Sequence, residues 1–187
     1  MFQNEYAAVL ITADSVRDGI DQEIIRDLFS IVECQVVHSC ECFVEPWMIP
    51  VMYRKIANRN YYPSVVRNMT CGRSVFYLVV GEGGLREKLS NTKGSFRGSG
   101  NGLSFTGLRA KYRGVSIDSG KPLSIRDSLD RTVASRLHTT SNNEETALNC
   151  LLFMKRVDVL RLSVLAPDIF LEIQKATSQL SFFGWMG

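Results

Sequence analysis

His138 is one of two histidines in the chain, and it stands in a stretch suited to phosphate chemistry: Ser135-Arg136-Leu137-His138-Thr139-Thr140-Ser141-Asn142-Asn143-Glu144-Glu145-Thr146-Ala147. An imidazole with a pKa of about 6.5 keeps a neutral, nucleophilic nitrogen near pH 7, so it can take up and release a phosphoryl group. The hydroxyls of Thr139, Thr140 and Ser141 can donate to an oxyanion, and the free N–H groups of the helix that follows favour negative charge. A lone histidine is more often structural or merely solvated. The rest of the chain has to decide between these readings.

The cations are unevenly spread. Residues 83–113 hold Arg86, Lys88, Lys93, Arg97, Arg109, Lys111 and Arg113 against the single acid Glu87. Such a stretch fits a solvated face, a nucleic-acid patch or a polyphosphate clamp. The net charge of +3 is too small to imply nucleic acid by itself. The glycine-rich segment 94–102 lacks the Gly-Lys-Ser/Thr ending of a P-loop and reads as a flexible linker rather than a phosphate cradle.

A chain of 187 residues, 45% hydrophobic and 22% charged, is expected to form one soluble domain with a real core, with or without an appendage. No apolar run approaches the ~20 residues of a bilayer span, and the N-terminus lacks a secretory layout, which points to the cytoplasm. None of the five cysteines forms a Cys-x-x-Cys pair. Cys34, Cys40 and Cys42 share strand parity and read as small apolar filler on one sheet face, so no metal site is expected. His38, in the same apolar strand, reads as a satisfied sheet histidine.

Periodicity supplies the elements that would position His138. Residues 6–12 and 74–80 read as buried strands, and residues 33–44 form a β-branched, cysteine-rich third. Ile20, Ile24, Leu28 and Ile31 mark an amphipathic helix. Short helices are expected after Pro46 and over residues 61–69, followed by a basic helix through Leu89. Residues 92–129 read as long and irregular. A strand over 132–137 leads to His138, a buried helix covers 145–156, and a helix starting at Pro167 precedes a greasy tail, Phe182-Phe183-Gly184-Trp185-Met186-Gly187. This order gives an α+β sandwich with a small, mainly antiparallel sheet and helices on one face.

Taken in order, these segments resemble the nucleoside diphosphate kinases. Residues 10–19 are similar to the family's first strand and its Lys-Pro-Asp-Ala-Val-x-Arg-Gly turn. Tyr53, Tyr61, Val65 and Met69 match its Tyr, its Pro-Phe-Phe element and the helix behind. Cys71-Gly72 and the strand ending at Val80-Gly81 match its Ser-Gly-Pro strand. Arg86-Glu87-Lys88-Leu89-Ser90-Asn91-Thr92 resembles Arg-x-x-Leu-Gly-x-Thr, and residues 106–112 resemble Gly-Thr-Ile-Arg-Gly-Asp-Phe. His138 with Glu145-Thr146-Ala147 resembles the His-Gly-Ser-Asp-Ser-x-Glu-Thr-Ala signature, with one extra residue between the halves.

The resemblance implies a ferredoxin-like sandwich with a mainly antiparallel four-stranded sheet over residues 1–156. An insertion at about 113–131 and a helical extension over 157–187 would be additions to it. It implies His138 as the phosphorylated residue, taking the γ-phosphate of a nucleoside triphosphate and passing it to a diphosphate. Arg86, Thr92, Arg109, Tyr61, Tyr53, Thr12 and Ser135 would contact the nucleotide, with Mg2+ held mainly by the phosphates, and the protein would form a homo-oligomer. Two guanidinium forks suit a transition state whose charge spreads over several oxygens.

Departures from the pattern fall on the chemistry. The family's phosphate-binding lysine aligns with Thr12, its asparagine before the histidine with Ser135, and the glutamate that orients the imidazole with Cys150. Each loss of a charged donor or orienter weighs on the order of 3 kcal/mol of transition-state stabilisation. Arg17 or Lys111 is a candidate to replace the lysine, and Glu144 the glutamate. A catalytically impaired nucleotide-binding or assembly protein on the same fold is therefore the alternative. A nucleic-acid-binding protein using the basic stretch is a third reading.

Overall fold

The computed structural model describes residues 4–53, 58, 62–94, 96–99, 102–112 and 136–182. Its centre is a sheet of four strands: β1 (Glu5–Ile11), β2 (Gln35–Phe43), β3 (Arg73–Gly81) and, omitting for now a small hairpin, β6 (Leu137–Thr139). The spatial order is β2-β3-β1-β6 and every pairing is antiparallel, the arrangement of a ferredoxin-like α+β fold.

The two central strands explain why the sheet is covered twice. Along β1, Tyr6, Ala8 and Leu10 point one way and Ala7, Val9 and Ile11 the other, and all six are buried. A strand apolar on both parities needs apolar cover on both faces. One face carries α2 (Asp21–Ile31), α5 (Leu85–Lys93) and α6 (Gly107–Lys111), through Ile24, Leu28, Leu85, Leu89 and Leu108. The other carries α3 (Met48–Met52), α4 (Tyr62–Met69) and α7 (Asn143–Phe153), through Ile49, Met69, Ala147 and Phe153. Helices on one face only, the arrangement expected from element order, is therefore corrected to helices on both. The short α1 (Ala13–Arg17) follows β1 directly.

The helices after Arg156 join that second face. Val159 and Leu162 of α8 (Arg156–Leu165), then Ala166, then Ile169 and Ile173 of α9 (Pro167–Phe182), belong to the same core cluster as Leu10 and Phe76. No helix among the described residues is long and apolar enough to cross a membrane.

Three local expectations change. Within the stretch read as irregular, β4 (Phe96–Ser99) pairs antiparallel with β5 (Gly102–Phe105), and α6 follows. Glycines diluted the alternation that would have marked the hairpin. The cysteines do not share a face: Cys34 packs with the α2/α5 core, whereas Cys40 and Cys42 pack with the other. A register shift between Val36 and His38 adds a residue to β2 and reverses side-chain parity beyond it. Among the described residues the buried Nε2 of His38 meets no hydrogen-bond partner, against the satisfied sheet histidine expected.

Candidate functional site at His138

His138 lies in the middle of edge strand β6, opposite Leu10 of β1. Leu137 faces the α2/α5 core, so strand alternation turns the imidazole towards the α3/α7 side. There the ring meets Tyr53 edge-on, with centroids 4.9 Å apart and planes at 75°. His138 is only 7% exposed, and its Nε2 is fully buried with no hydrogen-bond partner among the described residues.

Two cations are brought to this histidine by a backbone crossing. Gly94, directly after α5, and Gly107, the first residue of α6, both have positive φ, 80° and 64°. A Cβ on Gly94 would lie 1.8 Å from the carbonyl oxygen of Thr106, and one on Gly107 would lie 2.4 Å from that of Thr92. Only glycine tolerates both the dihedral and the contact. The crossing pins the end of α5 to the start of α6. Arg109 completes it, donating from Nη1 to the Gly94 carbonyl at 3.4 Å and from Nη2 to the Leu137 carbonyl at 3.3 Å. Those acceptors are the immediate neighbours of Lys93 and His138, so Arg109 joins the ammonium and the imidazole.

The electrostatics follow. Burial, and then the charges of Lys93 and Arg109, push the His138 pKa down to about 3. Burial and Arg109 bring Lys93 down to about 8, against an upward pull from Glu145. Burial lowers Arg109, with Tyr53 opposing. A neutral imidazole flanked by two poorly hydrated cations is a place where an anion gains and a further positive charge loses. Lys93 makes no ion pair within 4.0 Å among the described residues.

The other residues singled out from sequence are placed as follows. Thr92 is half-buried in the last turn of α5, beside Lys93. Thr12 is buried next to β1, with its Oγ1 donating to Asp14 and its N–H donating to the Arg136 carbonyl. Arg86 is turned to another part of the surface. It pairs with Glu5 at 3.2 Å, donates to the Tyr6 carbonyl at 2.9 Å and reaches Asn143 Oδ1. Tyr6 is four residues along β1 from Leu10, about 13 Å from the level of His138. There Arg86 lines a separate cavity of about 490 Å3 with Glu5, Gly84, Asn143 and Asp168. Tyr61 and Ser135 lie outside the described residues.

The expected substitutes are also engaged elsewhere. Arg17 pairs with Asp18 at 3.1 Å and Lys111 pairs with Asp27. Thr140 shares its hydroxyl with Thr146 and accepts from the Ala8 N–H, while Ser141 donates to Glu145. Asn142 caps α7 by accepting from the Glu145 N–H at 2.8 Å, so that helix start is closed by the chain's own side chains.

Sequence reading missed two residues. Lys93 was one cation among many, and nothing in the sequence singles it out before the Gly94–Gly107 crossing is known. Arg136, two residues before His138, has φ 49° and is 2% exposed. Its Nη1 reaches Asp18 at 2.7 Å and Asp14 at 3.4 Å, and its carbonyl accepts from Ser15 Oγ at 2.9 Å. These bonds hold a non-glycine residue in the left-handed region, at a cost of about 1–2 kcal/mol, and fix the entry of β6 against the turn after β1.

No protein-family model and no curated protein matches the sequence. Solved structures do match in shape. The apo cubic form of nucleoside diphosphate kinase from Encephalitozoon cuniculi superposes with a TM-score of 0.57 at 14% identity, over 80% of this chain and 88% of that one. An orthorhombic form of the Aquifex aeolicus nucleoside diphosphate kinase gives 0.55 at 14%, over 83% and 98%. A transition-state mimic of the Borrelia burgdorferi nucleoside-diphosphate kinase, with vanadate and ADP bound, gives 0.57 at 13%, over 82% and 89%. At such identities it is the fold that is shared: this chain has the fold of the nucleoside diphosphate kinases.

Proposed function

We propose that this protein binds nucleoside di- and triphosphates where Lys93 and Arg109 flank His138, and that rapid phosphoryl transfer through His138 is not sustained there. The observation that carries the reading is the convergence of those two cations on a buried, neutral imidazole. Two donors of opposite geometry, a fork and a point charge, suit adjacent phosphate oxygens. Tyr53 adds an aromatic wall, and Tyr61 is the residue expected to stack on the base. Mg2+ would arrive on the phosphates, as is usual for that strongly hydrated cation.

Transfer is disfavoured by the other nitrogen. When one ring nitrogen takes a phosphoryl group, the other must carry its proton, and the ring becomes cationic. Among the described residues Nε2 is buried without an acceptor, and Cys150 stands where the resemblance places the orienting glutamate. Burial, and then the charges of Lys93 and Arg109, hold the ring's pKa down to about 3, which opposes positive charge on it. Bound phosphates offset the share due to Lys93 and Arg109 but not the share due to burial.

The second reading is active nucleoside diphosphate kinase chemistry. It is favoured by the imidazole being neutral, hence nucleophilic, at every physiological pH. Incubation with γ-labelled ATP and magnesium separates the two. Nucleotide binding by calorimetry that falls at least tenfold in Arg109→Ala, with no acid-labile label, supports the proposal. Label on His138 that a diphosphate removes, absent in His138→Ala, replaces it with the kinase. If nucleotides do not bind, the proposal fails, and salt-sensitive binding of oligonucleotides would then point to the basic stretch.

Assembly belongs to the same reading. Val36 and Phe43 are exposed on edge strand β2, the kind of surface that subunits cover, so sedimentation should show an oligomer rather than a monomer.

A further inference from the structure

We propose that Lys93 is a reactive amine, and that small phosphate-bearing aldehydes held by Arg109 condense with its Nζ. The inference rests on the anion binding of the proposed function, though not on a nucleotide as the ligand. Lys93 ends α5, and the next carbonyl, that of Gly94, is bound by the Arg109 fork at 3.4 Å. The Gly94–Gly107 crossing fixes the backbones that carry the two side chains, and the charge of Arg109 acts on Lys93. A guanidinium that captures a phosphate thus holds the rest of a small molecule near an amine.

That amine faces few quenching groups. Arg109 on α6 and the neutral His138 on β6 add no negative charge, and among the described residues Glu145 on α7 is the one carboxylate acting on it. With its pKa brought to about 8, about a fifth of Lys93 is the free amine at pH 7.4, against roughly one part in a thousand for an ordinary lysine. The other described lysines lack this setting. Lys111 and Lys175 are paired with Asp27 and Glu172, and Lys88 and Lys155 are exposed.

The step balances without an oxidant or reductant. The Nζ lone pair attacks the carbonyl carbon and a carbinolamine forms. Its C–O bond then breaks as C=N closes, and the oxygen leaves as water with the two protons that nitrogen sheds. Arg109 keeps the phosphate in place throughout.

Pyridoxal 5′-phosphate is a suitable probe. The native protein would be incubated with it at pH 7.4, the imine trapped with borohydride and the label located by peptide mass spectrometry. Lys93 is expected to react at least tenfold faster than any other lysine, and at least tenfold faster than with pyridoxal, which lacks the phosphate. Arg109→Ala or added inorganic phosphate should abolish that preference, the second without any change to the fold. Label spread evenly over exposed lysines, or equal rates with pyridoxal, overturns the inference. Nucleotide binding is measured separately. Phosphate-dependent labelling without nucleotide binding sinks the proposed function alone, and nucleotide binding with an inert Lys93 sinks this inference alone.

Discussion

Replacing His138 by Gln removes a titrating ring and keeps a polar side chain of similar reach, which makes the protonation state of the site measurable as stability. In the folded chain the imidazole is held neutral down to about pH 3, first by burial and then by Lys93 and Arg109. In the unfolded chain it binds a proton near pH 6.5. Below pH 6.5 the unfolded state therefore carries the extra proton, and stability falls as pH falls, with a limiting slope of about 1.4 kcal/mol per pH unit until the folded ring also protonates. Between pH 7 and pH 5 the wild-type protein should lose about 2 kcal/mol on this account. The figure at pH 5 is nearly the same for any folded pKa below about 4. Urea denaturation of both proteins at pH 7 and pH 5 isolates it, because His38 and every carboxylate are common to the two. His138→Gln should lose about 2 kcal/mol less than wild type over that interval. An equal loss in both, or an NMR titration of the His138 ring centred near 6.5, would refute the buried neutral imidazole and with it the case against phosphoryl transfer.

Other perturbations test the scaffold of the site. Gly94→Ala should destabilise the protein by on the order of 3 kcal/mol or more, since its Cβ meets the Thr106 carbonyl at 1.8 Å and φ is 80°, and calorimetric melting would read it. Nucleotide affinity should fall with it, because Lys93 and Arg109 lose their common anchor. Arg136→Met should cost about 3–5 kcal/mol near neutral pH by leaving Asp14, 1% exposed, without its cation. Burial already raises the Asp14 pKa, so losing Arg136 raises it further. An acid with a raised folded pKa is stabilising when protonated, so the deficit should shrink as pH falls towards 4. Arg86→Met should cost about 1 kcal/mol through its partly exposed pair with Glu5 and leave ATP affinity within twofold of wild type. A tenfold loss of affinity would return Arg86 to the nucleotide site.

Much of the fold was legible because it depends on local period. The alternation and apolar runs of residues 6–12 and 74–80 became β1 and β3, and Ile24 and Leu28 became the buried stripe of α2. A register shift is not a local property, which is why Cys34 parted from Cys40 and Cys42 at the bulge in β2. The hairpin over residues 96–105 escaped notice for a related reason: glycine carries no side chain whose polarity could report a strand.

The sequence by itself determined which chemistry was within reach: an imidazole, a run of cations with almost no acids, and segments in the order of a ferredoxin-like sheet. Tertiary structure alone decided which cations serve that imidazole. Arg86 and Lys93 sit on one nine-residue helix, yet one is turned to Glu5 and the other to His138. Helix periodicity places them on α5 but does not say what lies beyond either end. That was settled by two glycines thirteen residues apart, Gly94 and Gly107, whose backbones meet at the base of the β4–β5 hairpin.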